Sequence, residues 1–168
     1  MESVLLIRVK RGERLLGMQN KITDRLAKLS KELNESIDIV KFENQNEEYA
    51  GAIIELSGVL TRYRLAKVTP KKTGLFVAFW EKDSQNKNKP YDLVTSPDYL
   101  MIEVEEEGNK GIFLFDQSVL ETKGIYSTAN SKGKMAIRVY PEWSHDLNKQ
   151  ATQTQKWQLN YFNSFTIK

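Results

Sequence analysis

Apolar residues Leu15, Ile22, Leu26, Leu29 and Leu33 recur at spacings of seven, four, three and four, which line one face of a helix over Gly12 to Leu33. Before it, the short apolar run Val4 to Val9 fits either a strand or an earlier turn of helix. The rhythm then changes. Ile37 to Phe42 reads as a short strand and Asn44 to Glu48 as a polar loop. Tyr49 to Leu56 and Val59 to Val68 read as two strands that turn back at Ser57-Gly58. Pro70 ends the second, because it cannot donate to a ladder. Leu75 to Trp80 is almost wholly apolar, as expected of a strand covered on both faces in the middle of a sheet. Glu81 to Tyr91 is a solvated loop. Tyr99 to Glu105 and Ile112 to Phe115 form a second hairpin, turning at Glu107-Gly108-Asn109. A short helix follows over Ser118 to Lys123, closed by Gly124. Lys134 to Tyr140 is a strand ended by Pro141, and Asn148 to Phe162 has a helical pattern.

This order predicts an α/β domain with a central mixed sheet and helices at both ends of the chain, one for each face. A length of 168 residues, 40% of them hydrophobic, fits a single domain over residues 1–168 that buries roughly two-thirds of its unfolded surface. The absence of cysteine removes disulfides, thiolate zinc sites, iron–sulfur clusters and thiol catalysis. The N-terminal apolar run is too short for a signal peptide and follows an acid. No stretch approaches the length of a membrane-spanning helix. The expectation is a cytoplasmic protein without membrane insertion.

Net charge is only +3, but the charges are sorted by segment. No acid lies between Glu55 and Glu81, a stretch holding Arg62, Arg64, Lys67, Lys71 and Lys72. None lies between Glu121 and Glu142, which holds Lys123, Lys132, Lys134 and Arg138. Asp92, Asp98, Glu103, Glu105, Glu106 and Glu107 form the acidic counterpart. Strand alternation sets Arg62, Arg64 and Ala66 on one face and Tyr63, Leu65 and Lys67 on the other. An arginine inside an apolar strand needs a carboxylate or solvent, and Glu48 and Glu55 are the nearby acids. A groove of arginine and lysine is the footprint of a phosphate-backbone binder, and Tyr63, Tyr140, Trp143 and Trp157 are candidate stacking surfaces for bases.

Three blocks carry a resemblance. They are Arg64-Leu65-Ala66-Lys67-Val68-Thr69-Pro70-Lys71-Lys72-Thr73-Gly74-Leu75-Phe76-Val77 with Trp80, then Gly133 to Pro141 with Trp143, then Thr154-Gln155-Lys156-Trp157-Gln158. From about Tyr49 to Phe162 the chain resembles the MepB family of bacterial proteins. The family takes its name from a gene that accompanies a multidrug efflux pump and its repressor, and no biochemical activity comes with the resemblance. The fold it implies is the restriction-endonuclease-like α/β/α sandwich, with a core order of helix, three strands, helix, strand. Nucleases of that fold resemble one another in an acid on one strand and acid-x-Lys on the next, around a divalent metal.

The strand expected to carry acid-x-Lys, Gly74 to Trp80, has neither residue, and Glu81-Lys82-Asp83 follows at the wrong spacing. Glu48, Glu55 and Lys67 are the remaining catalytic candidates, with Mg²⁺ as a cofactor only if they cleave nucleic acid. His145 sits in a polar loop, and Ser144 beside it makes no triad. Neither a nucleophile elbow nor a phosphate-binding loop is present. The leading expectation is DNA or RNA binding without catalysis, by Arg62, Arg64, Lys67, Lys71, Lys72, Lys134, Arg138 and Lys156, with no cofactor. The alternatives are a metal-dependent nuclease, or an anion, small-ligand or protein adaptor linked to drug-efflux operons that clamps carboxylates with its arginines.

Overall fold

A computed structural model describes the backbone of residues 2–165 and the side chains of residues 13–165. Helix α1 (Glu2–Leu33) runs into a meander of β1 (Ile37–Phe42), β2 (Ala52–Leu56) and β3 (Val59–Leu65). The Ser57-Gly58 turn forms as the sequence indicates, with both residues at positive φ (47° and 83°), the geometry that matches strand twist in a two-residue hairpin. β8 (Tyr99–Glu106) lies parallel to β3, and β9 (Asn109–Asp116) returns antiparallel through Glu107-Gly108. With β11 (Phe162–Ser164) these strands make a six-stranded mixed sheet ordered β1-β2-β3-β8-β9-β11.

One face of this sheet is covered by α1. Ile22, Leu26 and Leu29 pack on Ala52, Ile54, Tyr63 and Met101, so the heptad-like spacing finds its partner. The opposite face departs from the expected sandwich. Leu75 to Ala78 of the apolar run lies in a central strand, but of a separate three-stranded sheet, and Phe79 and Trp80 follow beyond its end. There β5 (Lys72–Ala78) lies between β4 (Lys67–Thr69) and β10 (Ala136–Val139). Leu75, Val77 and Val139 pack with Leu100, Ile102, Phe113 and Phe115 of the large sheet. The run is apolar because one of its faces meets the large sheet and the other carries Phe76 under further side chains. Two helices complete this side, α2 (Gln117–Thr122) and α3 (Lys149–Gln158), with the small hairpin β6 (Glu81–Lys82) and β7 (Asn88–Lys89) in the loop after β5.

The helical pattern over Asn148 to Phe162 ends earlier than its apolar spacing suggests. α3 gives way to a tight 3-10 turn (Leu159–Tyr161), and Phe162 leaves as an edge strand beside β9. Its ring lies on Gly111, where a Cβ would come within 2.5 Å of it. Among the described residues no helix is long and apolar enough to cross a membrane.

Candidate functional site

Arg62 and Arg64 share a strand face as alternation requires, but that face is interior. Arg64 is 0% exposed and Arg62 5%. Both converge on Glu43, with Arg62 Nε donating to its Oε1 at 3.0 Å and Arg64 Nη1 at 2.8 Å. Arg62 also donates to Tyr126 Oη (3.1 Å) and Ser96 Oγ (3.0 Å), and its guanidinium lies 3.4 Å from the centre of the Tyr91 ring. Tyr91 in turn donates its hydroxyl to Glu43 Oε2 at 3.0 Å.

A glycine makes the arrangement possible. Extending the register of Phe42 with Ala52 and Ala52 with Tyr63 places Glu43, Gly51 and Arg64 side by side across three strands. A Cβ on Gly51 would stand 2.6 Å from the Glu43 carbonyl and 3.0 Å from Arg64 Nη1. Burial pushes the Glu43 carboxyl up, but the Arg64 and Arg62 guanidiniums outweigh burial and hold it below its ordinary value. Burial also pushes the Tyr91 hydroxyl up to about 12. Arg62 and Arg64 are therefore not surface phosphate contacts. They are the paired, buried charges of a structural cluster, and their acid is Glu43 rather than Glu48 or Glu55.

The nuclease constellation does not assemble. Glu55 is exposed near the Ser57-Gly58 turn, with Asp38 and Leu60 opposite it. Lys67 lies seven residues beyond Leu60, about 20 Å along an extended chain, and it begins the other sheet. Glu48 sits in a 3-10 turn (Glu47–Tyr49), exposed beside Tyr49. Among the described residues no three His, Cys, Asp or Glu side chains gather as a metal-binding set. His145 is exposed, and Ser144 engages Gln155 only through its backbone carbonyl.

The remaining cations are arranged differently. β4 pairs with β5 through Val68 opposite Leu75, then Thr69 opposite Lys72, so Thr73 and Gly74 bulge out of the ladder. Gly74 takes φ +82° there, a conformation other residues adopt at a cost. The bulge turns two carbonyls toward β10, and Arg138 Nη1 donates to Thr73 O (3.3 Å) and Gly74 O (3.2 Å). The Arg138 guanidinium lies 5.8 Å from the centre of the Phe76 ring, directly across the ladder. Tyr49 meets Phe76 edge-on, and Lys67 Nζ lies 5.6 Å from the centre of the Tyr49 ring.

Beside this face, β10 and α3 enclose a hollow of about 450 Å³ lined by Lys123, Lys134, Arg138, Tyr140, Thr154 and Trp157 among others, with no acid in its lining. A neighbouring hollow of about 380 Å³ shares Arg138 and Tyr140 and adds Lys72 and Asp146. No ion pair among the described residues engages Lys67, Lys71, Lys72, Lys123, Lys134 or Arg138. Lys71 is exposed at the turn before β5 (φ 70°). Lys156 is exposed on α3 and lines neither hollow. Lys72, Lys134 and Arg138 are thus brought together, Lys67 stands on the same small sheet, and Lys156 is set apart. Lys123 joins them unforeseen, because nothing in its short-helix context marks the side on which it emerges.

The three sequence blocks meet at this place, one on β4–β5, one on β10 and one on α3. A family model described as MepB-like matches residues 43–164. The chain belongs to the MepB-like family. A crystal structure of MepB is similar to it, with 42% identity and a TM-score of 0.76 over 86% of this chain and 98% of that one. Comparison with curated proteins gives no match. The MepB-like block on α3 has a clear structural task. Gln158 Oε1 accepts from Tyr140 N (2.9 Å), and its Nε2 donates to Arg138 O (3.0 Å), so a buried side-chain amide plays the part of a neighbouring strand. Gln155 Nε2 donates to Pro141 O and Ser144 O. Substituting Gln158→Leu leaves the Arg138 carbonyl of β10 and the Tyr140 N–H just after it without partners at a site 1% exposed. A loss of about 2–4 kcal/mol in urea unfolding is expected, against less than about 1 kcal/mol if the amide merely fills space.

Proposed function

We propose that this MepB-like protein binds nucleic acid through the phosphate backbone, along the hollows between β10, the β5 bulge and α3, and does not cleave it. The observation that carries the reading is the convergence of Lys72, Lys123, Lys134 and Arg138 on adjoining hollows with no carboxylate paired to them. Four cations without an ion-pair partner on adjoining hollows, against the single acid Asp146 in their lining, make a local positive potential out of proportion to a net charge of +3. Cleavage by a metal ion is not part of the proposal, since the carboxylates a metal would need are dispersed.

The proposal keeps the restriction-endonuclease-like core order that the family resemblance implies, in part. Helix α1, the β1–β2–β3 meander and the parallel crossover to β8 follow that core order. The crossover from β3 to β8 differs, because it carries β4, β5 and the β6–β7 hairpin where that order has a helix.

Fluorescence anisotropy with labelled DNA and RNA oligonucleotides at several salt concentrations tests the function. Neutralising four phosphates gives a log–log slope of roughly −3 to −4. Binding that ignores salt, or no binding at low salt, sinks the proposal.

A further inference from the structure

We infer that Tyr140 is a stacking seat for an unpaired base, and therefore that the ligand is single-stranded. The inference rests on the nucleic-acid reading above and adds the form of the ligand. Four aromatic residues stand out in the sequence as candidate stackers, and three are already occupied. Tyr63 is fully buried under α1, with its hydroxyl donating to Glu103. Trp143 packs edge-on against Phe162 and donates its indole N–H to Glu106 at 3.0 Å. Trp157 rests on Phe115, and Lys123 Nζ lies 5.2 Å from the centre of its ring.

Tyr140 differs from all three. It follows Val139, which pairs with Leu75, so it falls directly across from Gly74. A Cβ at Gly74 would stand 2.7 Å from both Cδ1 and Cε1 of the ring. The ring therefore lies against the glycine backbone and is seated there only because that position carries no side chain. Its backbone N–H is fixed by Gln158. Tyr140 is partly buried and borders both basic hollows. Arg138 lines both hollows with it, and Lys72 and Lys134 line one each. A rigid aromatic side between two cationic hollows matches how sequence-tolerant proteins hold a single strand, with bases on rings and phosphates on cations. In a duplex the base faces are stacked on one another and cannot reach it.

The test uses the full chain, a fluorescein-labelled single-stranded oligodeoxynucleotide, the same strand carrying abasic sites, and the matching duplex. The intact single strand is expected to bind about tenfold more tightly than the abasic strand. Tyr140→Ala should lose about tenfold for the intact strand, little for the abasic strand or duplex, and nothing in salt slope. Tyr140→Phe should keep most of the affinity. If Tyr140→Ala weakens all three ligands equally, or none, the stacking seat is wrong while backbone binding stands. If none of the three binds at low salt, both readings fall.

Discussion

Glu43→Gln should destabilise the protein by about 3–5 kcal/mol at neutral pH, because it leaves two buried guanidiniums facing a neutral amide. For a chain of this size the melting temperature should fall by about 10–15 °C. Arg62 and Arg64 cannot escape by losing their charge, and neither reaches solvent. The pH dependence has a definite sign. Glu43 is held below the ordinary value of 4.5. Its contribution is therefore present above that value and lost as pH falls through the depressed one. The gap between wild type and variant should be widest at neutral pH and narrow once the pH drops below 4.5. Glu103 acts in the opposite sense. Burial raises its carboxyl despite the partnering Arg25, so its contribution favours folding in acid and declines as pH rises above 4.5. That group is common to both proteins and cancels from the difference. Urea unfolding across pH 3 to 7 (about four units) measures the gap. A loss below about 1 kcal/mol, or a gap that does not change with pH, would contradict the central role of the Glu43 cluster.

The second large effect concerns binding rather than stability. Lys72→Glu combined with Lys134→Glu should lower nucleic-acid affinity on the order of a hundredfold at low salt, and cut the salt slope by about two. Both side chains are exposed and have no ion-pair partner among the described residues, so the fold should tolerate the change. Lys156→Glu is the internal control. It alters net charge equally per substitution but lies outside both hollows, and a change of less than about threefold is expected. If the control matches the double variant after allowing for charge, binding follows net charge and not a groove. Anisotropy titrations of the three proteins decide the matter.

Much of the fold is visible in local patterns. Alternation places Arg62 and Arg64 opposite Tyr63, and turn chemistry fixes both hairpins of the large sheet, because these depend on residues adjacent in sequence. Partner choice across the tertiary structure does not show itself that way. Glu43 stands 19 residues from Arg62 and 21 from Arg64, in a stretch that looks like the start of a polar loop. The available clue is Gly51 at the head of a strand, since a missing side chain there is what lets a neighbouring arginine cross to the next strand. Similarly, an apolar run such as Leu75 to Trp80 says that a strand is covered, not which sheet it joins. Tyr140 and Trp157 look equivalent in sequence. Only the tertiary structure separates them, setting Tyr140 against a glycine and Trp157 against a phenylalanine. Lys156 sits in the same block as Gln155 and Gln158, yet the rotation of α3 sends the glutamines inward and the lysine out.

The Gln158 amide carries a consequence for how the protein behaves in a crowded solution. An unpaired strand edge invites other chains to add to it, and β10 forms the border of its sheet. Its outward N–H and C=O next to the groove are already engaged by one side chain from α3. The groove can stay open and wet without that stretch of edge templating strand addition. Chain-to-chain ladder growth is blocked there by a single glutamine.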